Sequence, residues 1–314
     1  MISFGPVPSR RLGKSLGINN IISPKVCSYG CIYCQVGETV KKSIKRETFF
    51  QPELIDKKVE QHLKQLNRDN FPDYLTFVSN GEPTLDINLG KAIKLLKKHG
   101  ITVAVITNAS LMMLESVREE LFLADWVSIK IDAGDSKTWQ QINGPCPDLD
   151  FEGILTGIGI FSKEFGRILC TETMLVEGID DSVENVSNIS EFIKKINPYK
   201  AYLSIPIRPP VTKSVKPPIA EIVTRAWDIF NNKLIRTELL TGFEGTDTGY
   251  TGNIYDDILN ITAVHPLRED SMLKLLQKNN ADFQVIDSLI KQRLIRSTIY
   301  NGNKYYLREY HLHI

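Results

Sequence analysis

The stretch Val26-Cys27-Ser28-Tyr29-Gly30-Cys31-Ile32-Tyr33-Cys34 decides how the chain is read, because it gathers three of the protein's five cysteines within eight positions. Thiolates supplied by one short loop suit several ligands converging on one metal centre better than they suit disulfide geometry. Iron–sulfur cubanes are normally held by four cysteine thiolates. A three-cysteine loop would leave one iron free for a non-protein ligand, and an open coordination position marks a centre that does chemistry. The alternatives are a structural zinc site and three reduced thiols that are merely buried. Zinc usually takes four ligands in paired clusters, and the sequence has no second Cys-x2-Cys and no histidine within a few residues of the loop.

The 314 residues, 42% of them hydrophobic, suffice for one large domain plus a small one, or for one elaborate barrel. Lysines and arginines number 38 against 37 acids, a net charge of +1, so no global field points to a nucleic-acid or membrane partner. The N-terminal residues lack a basic segment followed by an apolar run, and no stretch of about 18 apolar residues occurs. The expectation is a soluble, cytoplasmic protein with no membrane partner. Cys146 and Cys170, the two cysteines outside the loop, read as ordinary core or loop residues of a reducing compartment.

Gly5 to Asn20 reads as a loop turning apolar at Leu16-Gly17-Ile18, a first strand that delivers the cysteine loop. The basic run Lys41, Lys42, Lys45 and Arg46 reads as solvated surface near enough to the cysteines to meet an anionic substrate. From residue 50 a strand and helix alternation sets in. Ile55, Val59, Leu63 and Leu66 mark a helix face, and Tyr74 to Val78 is a short apolar run suited to a buried strand. Further strands follow at Ile101 to Ile106, Trp126 to Ile131, Ile168 to Leu175 and Ala201 to Pro206, with helices between them. Such alternation implies parallel strands joined by right-handed crossovers, six units in all. Period alone does not separate an open doubly wound sheet from a barrel.

Pro209, Pro210, Pro217 and Pro218 break the pattern, a helix is expected over Ile219 to Asn231, and a glycine-containing loop over 241–252 reads as a linker or a lid. Two short helices, Arg268 to Asn279 and Phe283 to Leu294, then precede a hairpin around Asn301-Gly302. This order resembles a small winged-helix module. Between Ile261 and Ile314 eight Lys or Arg face five Asp or Glu, a modest excess that makes the module a candidate for nucleic-acid contact and equally for a protein-contact or substrate-presenting role. The expected domains are 1–235, 236–260 as linker or lid, and 261–314 as winged-helix-like.

Strands of a parallel barrel deliver function at their C-terminal ends, and those ends are polar here. Ser79-Asn80-Gly81-Glu82-Pro83 follows one strand, Thr107-Asn108 the next, and Asp132-Ala133-Gly134-Asp135 the one after. Glu172 and Thr173 lie in the fifth and Arg208 follows the sixth. Singly each reads as a cap or turn; their recurrence at one end of successive strands does not.

Cys-x3-Cys-x2-Cys with Tyr33 before the last cysteine resembles the signature of the radical S-adenosylmethionine (radical SAM) enzymes. Gly5-Pro6-Val7-Pro8-Ser9-Arg10-Arg11 and Ile205-Pro206-Ile207-Arg208-Pro209-Pro210 resemble a subgroup related to wybutosine-synthesis enzymes. The resemblance implies an α/β fold, a partial (β/α)6 barrel, and a [4Fe–4S] cluster on Cys27, Cys31 and Cys34. It further implies S-adenosylmethionine on the open iron. Asn80-Gly81-Glu82 occupies the place of the family's Gly-Gly-Glu-like motif for the methionyl amino group, departing from it at Asn80. Asn108 matches a polar cofactor contact, Lys130 and Asp132 the carboxylate and ribose contacts, and Tyr33 an aromatic position near adenine. The implied activity is reductive cleavage of S-adenosylmethionine to a 5′-deoxyadenosyl radical that abstracts hydrogen from a nucleoside, RNA or peptide substrate. An electron donor such as flavodoxin or ferredoxin is the implied partner. The alternatives are transfer of the aminocarboxypropyl group, and a nucleic-acid-binding regulator that uses its Fe–S cluster as a redox sensor.

Overall fold

The computed structural model describes residues 2–309; the last five residues of the expected C-terminal domain lie outside it. The chain opens with a hairpin, β1 (Ser3–Ser9) and β2 (Gly13–Ile18), and then passes through β3 (Val26–Cys27) and β4 (Lys41–Lys42). Helices and strands alternate from there: α1 (Pro52–Gln65), β5 (Tyr74–Phe77), α2 (Leu89–Leu96), β6 (Thr102–Thr107), α3 (Glu115–Leu121), β7 (Trp126–Lys130). Two helices, α4 (Ser136–Asn143) and α5 (Phe151–Glu164), precede β8 (Ile168–Met174), followed by α6 (Val183–Ile196), β9 (Lys200–Ser204), α7 (Ala220–Asn232) and β10 (Thr237–Leu240). The remainder runs α8 (Ile254–Thr262), β11 (Leu267–Arg268), α9 (Glu269–Lys278), α10 (Gln284–Lys291), β12 (Ile295–Tyr300) and β13 (Asn303–Arg308).

Eight strands form one sheet in the order β1-β2-β5-β6-β7-β8-β9-β10, parallel throughout except for β1 against β2. This curled half-barrel is the expected α/β architecture, with seven parallel strands where the sequence reading counted six. The added one is β10, which pairs with β9 from Thr237↔Ala201 to Leu240↔Ser204. Gly5 to Asn20 is a hairpin rather than a loop feeding one strand. The segment 236–260 holds β10 at one end and α8 at the other, with irregular chain between.

Successive strand residues face opposite ways. Leu75, Phe77, Val103, Val105, Val127, Ile129, Ala201 and Leu203 join buried helix residues such as Ile55, Ile93, Phe161 and Ile193 in the main apolar core. The concave face instead carries Thr76, Ser128, Lys130, Glu172 and Ser204 near a small apolar plug of Leu12, Ala104, Trp126, Cys170 and Tyr202. Local sequence sets the helix ends. Pro52 opens α1, and the Asp135, Asp150 and Ser182 side chains accept from Thr138 N, Gly153 N and Asn185 N to cap α4, α5 and α6. Gly100 and Gly144 take left-handed conformations that stop their helices.

The last elements share a second core with the first strand: Phe4 and Val7 of β1 pack with Ile258, Met272, Leu276, Ile286 and Tyr306. β11, β13 and β12 form a three-stranded antiparallel sheet. The tip is the expected Asn301-Gly302 turn, with both residues at positive φ. Tyr305 Oη donates to Ile207 O (2.8 Å) and Tyr300 Oη to Pro206 O (3.2 Å), so this unit also grips the chain that leaves β9. Among the described residues, no helix is long and apolar enough to cross a membrane.

Candidate functional site

A strand of two residues seats the cysteine loop. Val26 and Cys27 pair in parallel with Lys41 and Lys42, and Val26 also bridges to Gly81. A Cβ at position 81 would stand 1.8 Å from Val26 O, and the φ of +148° belongs to glycine, so only glycine lets the two backbones come this close. On its other side the loop is tied to the end of α4. Gly30 N donates to Asn143 O (2.9 Å), Ile32 N to Ile142 O (3.0 Å), and Cys146 N to Ser28 O (2.8 Å).

Each of the three sulfurs has one side-chain N–H aimed at it. Asn108 Nδ2 lies 3.7 Å from Cys27 Sγ, Asn143 Nδ2 3.4 Å from Cys31 Sγ, and Lys25 Nζ 3.0 Å from Cys34 Sγ. Burial pushes the Cys27 thiol up to about 12 and the Cys31 thiol up to about 11. At Cys34 burial acts in the same direction, but the Lys25 ammonium and the backbone N–H groups of Val36 and Gly37 together outweigh it and lower the thiol below its ordinary value. Donors on sulfur favour the thiolate, the form that binds metal; thiols buried only for packing do not need three of them. Among the described residues no three His, Cys, Asp or Glu side chains stand close enough to hold a single metal ion.

Glu82 is buried at the centre of a hydrogen-bond set. Its Oε1 accepts from Thr84 N (3.0 Å), Thr84 Oγ1 (2.6 Å) and Thr107 Oγ1 (2.6 Å), and its Oε2 accepts from Asn108 N (2.7 Å). The carboxylate thus locks the end of β5 to the end of β6. Burial raises its pKa against the pull of those donors. Asn108 continues the chain of contacts, with Nδ2 donating to Ser28 Oγ (2.9 Å) as well as facing Cys27.

A second set surrounds Asp132, which is buried after β7. Met174 N donates to its Oδ1 (2.9 Å), and Asn143 Nδ2 (2.9 Å) and Tyr33 Oη donate to its Oδ2. Lys130 Nζ sits over the Tyr33 ring at 4.9 Å and pairs with Glu172 Oε1 (3.3 Å). Five of the residues singled out in the sequence, Tyr33, Glu82, Asn108, Lys130 and Asp132, therefore form two linked sets on either side of Cys27 and Cys31. Asn80 stands apart. Its Nδ2 donates to Ser23 Oγ (3.2 Å), and it lines a cleft of about 340 Å³ with Lys25, Val36 and Arg296.

Within the basic run, Lys41 pairs with Glu47 (2.7 Å) and Arg46 with Glu120 and two backbone carbonyls, whereas Lys42 lies against Gly30 of the cysteine loop. Lys25 and Asn143 escaped the sequence reading. Lys25 was findable as a cation two positions before the first cysteine, whereas Asn143 ends a helix that apolar period does not reveal, with Trp139 and Ile142 its only buried apolar residues.

These residues fit the group that the cysteine spacing implies. Three thiols with polar donors suit a thiolate-held cluster. Asn80 Oδ1, buried with no hydrogen-bond partner, is an acceptor suited to the ammonium of an amino-acid ligand. Residues 21–188, which contain the cysteine loop, Asn80 to Glu82, Asn108, Lys130 and Asp132, match the radical SAM superfamily. The chain belongs to that superfamily. It is 45% identical to the UPF0026 protein MJ1312 of Methanocaldococcus jannaschii, over 98% of this chain and 96% of that protein. It is also 25% identical to the S-adenosyl-L-methionine-dependent tRNA 4-demethylwyosine synthase of the same organism, over 50% of this chain and 55% of that one. In fold it is similar to Streptococcus suis SuiB bound to its precursor peptide SuiA, with a TM-score of 0.53 and 15% identity, over 72% of this chain and 48% of that one. Radical SAM proteins are enzymes that use a [4Fe–4S] cluster and S-adenosylmethionine and need both a substrate and an electron donor.

Proposed function

We propose that Cys27, Cys31 and Cys34 are the only protein ligands of a [4Fe–4S] cluster, and that the enzyme acts on its substrate by hydrogen abstraction. When bound, the cluster and S-adenosylmethionine supply a one-electron cleavage that yields a 5′-deoxyadenosyl radical. The protein's part is to bind, orient and exclude water. Asn80 and Glu82 accept from the methionyl ammonium, with Gly81 keeping the backbone close to the cysteine strand. Asn108 and Lys130 hold polar and carboxylate groups of the cofactor, Asp132 its ribose, and Tyr33 flanks its adenine.

The observation that carries the reading is the trio of N–H donors on the three sulfurs of one loop, in a chain of this superfamily. Anaerobic incubation with S-adenosylmethionine and dithionite tests it. 5′-Deoxyadenosine is the expected product; methylthioadenosine would replace it with aminocarboxypropyl transfer, and no cleavage would favour a redox-sensing regulator.

We further infer that β11, α9, α10, β12 and β13 form a winged-helix-like domain within residues 261–314, that the barrel runs on past residue 235 to include β10, and that a flavodoxin or ferredoxin supplies the electron. Nucleic acid is the domain's proposed ligand. Its exposed cations, Lys291, Arg293 and Arg296, support that reading, while Asp282 and Asp287 on the same side of the sequence temper it. Nucleic-acid capture at two salt concentrations tests it, because phosphate-driven binding weakens as salt rises.

A further inference from the structure

The concavity of the half-barrel contains a cavity of about 110 Å³ whose wall includes Ser9, Arg10, Arg11, Gln35, Arg208, Glu244 and His265. Three guanidinium groups on one small cavity are costly inside a protein unless anions offset them. The anions in contact do so only in part. Arg208 pairs with Glu244 and donates to Gln35 Oε1 (3.0 Å). His265 Nε2 lies 3.1 Å from the same Glu244 Oε1. Arg11 pairs with Glu172, but Glu172 is shared with Lys130 (3.3 Å). Among the described residues Arg10 hydrogen-bonds only to backbone, the carbonyls of Leu240 and Gly242 (3.3 Å) at and just past the end of β10, while Glu244 acts on it through charge. The crowding registers electrostatically: burial, followed by the nearness of Arg208, lowers Arg10 to about 10, and burial followed by Arg10 lowers Arg11 to about 10.

A second observation at the same wall points to a ligand. The side chain of Glu244 is only 2% exposed, and its Oε2 has no hydrogen-bond partner. A buried carboxylate oxygen left unsatisfied is costly, so the site has spare positive charge and a spare acceptor side by side. We propose that this cavity binds an oxyanion of the enzyme's substrate, a carboxylate or a phosphate, through Arg10 and Arg208, with Glu244 Oε2 accepting from a hydroxyl or N–H beside that group.

The position suits substrate anchoring. Gln35 follows the last cysteine directly, and the contacts Arg11–Glu172–Lys130–Tyr33 run from the cavity wall to the residues assigned to the cofactor. This inference rests on the radical SAM reading for the meaning of "substrate", but its test does not need turnover.

The test is calorimetric titration of the full-length, cluster-loaded protein, without S-adenosylmethionine, with inorganic phosphate and separately with acetate. Saturable binding of at least one probe is expected, and which one binds identifies the oxyanion. Arg10→Gln should weaken it by about tenfold or more, and Arg225→Gln, on the exposed face of α7, should leave it unchanged. Should Arg10→Gln fail to fold, Ser9→Asp serves instead. It keeps an acceptor for Arg11 N and Leu12 N and sets a carboxylate on the wall, so it should abolish binding. Absence of saturable binding by either probe, or equal affinity in Arg10→Gln or Ser9→Asp and the parent, would overturn the proposal. Cleavage of S-adenosylmethionine by the same preparation reads the radical SAM assignment separately, so either idea can fail alone.

Discussion

At the scale of single residues, the motif assigns itself by different physics at each position. Gly81 is required by space: with a Cβ 1.8 Å from Val26 O, Gly81→Ala must push the cysteine strand away. The expected cost is about 2–4 kcal/mol, read by anaerobic urea unfolding, together with poorer cluster loading; an alanine variant as stable as the parent would contradict it. Glu82 is required by hydrogen bonding, since four donors converge on it. Glu82→Gln should weaken binding of S-adenosylmethionine more than it lowers iron content, and unchanged cofactor affinity would remove Glu82 from that role. Lys25 acts through charge. On a cluster held by Cys34 its ammonium would stabilise the more negative, reduced state, so Lys25→Met should lower the reduction potential followed by EPR. The cysteines, Gly81 and Glu82 were legible because their spacing is local. Lys25 carries a local signal too, a cation two positions before the first cysteine; Asn143 does not, because a donor reaching a sulfur from 112 residues away leaves no periodic trace.

At the scale of elements, the sequence reading succeeds where burial imposes a period and fails where it does not. β5, β6 and β7 turn Leu75, Phe77, Val103, Val105, Val127 and Ile129 toward the helices, so their apolar positions are readable. β10 is a four-residue edge strand with Leu239 partly exposed, and nothing in Thr237-Glu238-Leu239-Leu240 separates it from loop. The first hairpin hides behind Gly5, Pro6 and Pro8, residues that argue for turns when read locally. Caps, by contrast, carry their mechanism in one side chain. Asp150→Ala removes the acceptor for Gly153 N (2.9 Å) at the start of α5 and should cost about 1 kcal/mol in chemical denaturation. A change indistinguishable from zero would mean that packing of Phe151, Ile154 and Phe161 alone sets that helix end.

At the scale of the whole molecule, the C-terminal unit is part of the fold's closure. It shares an apolar core with Phe4 and Val7 of the sheet's edge strand, and Tyr305 holds the backbone at Ile207, just before Arg208. Tyr305→Phe should lose about 1 kcal/mol and speed amide exchange around 205–212; protection as in the parent would show that the apolar core alone docks the unit. The sequence disclosed the hairpin and two helices of this unit, but not its contact with β1, because Phe4 and Val7 lie in a stretch without alternation. The central claim for the molecule is that its three-cysteine loop organises a radical SAM site. Its most direct test is product analysis after anaerobic reconstitution, reduction with dithionite and addition of S-adenosylmethionine. The account predicts methionine and 5′-deoxyadenosine in equal amounts, lost on changing any one of Cys27, Cys31 or Cys34 to alanine and retained when Cys146 or Cys170 is changed. Intact S-adenosylmethionine in the presence of a reduced, fully loaded cluster would contradict it.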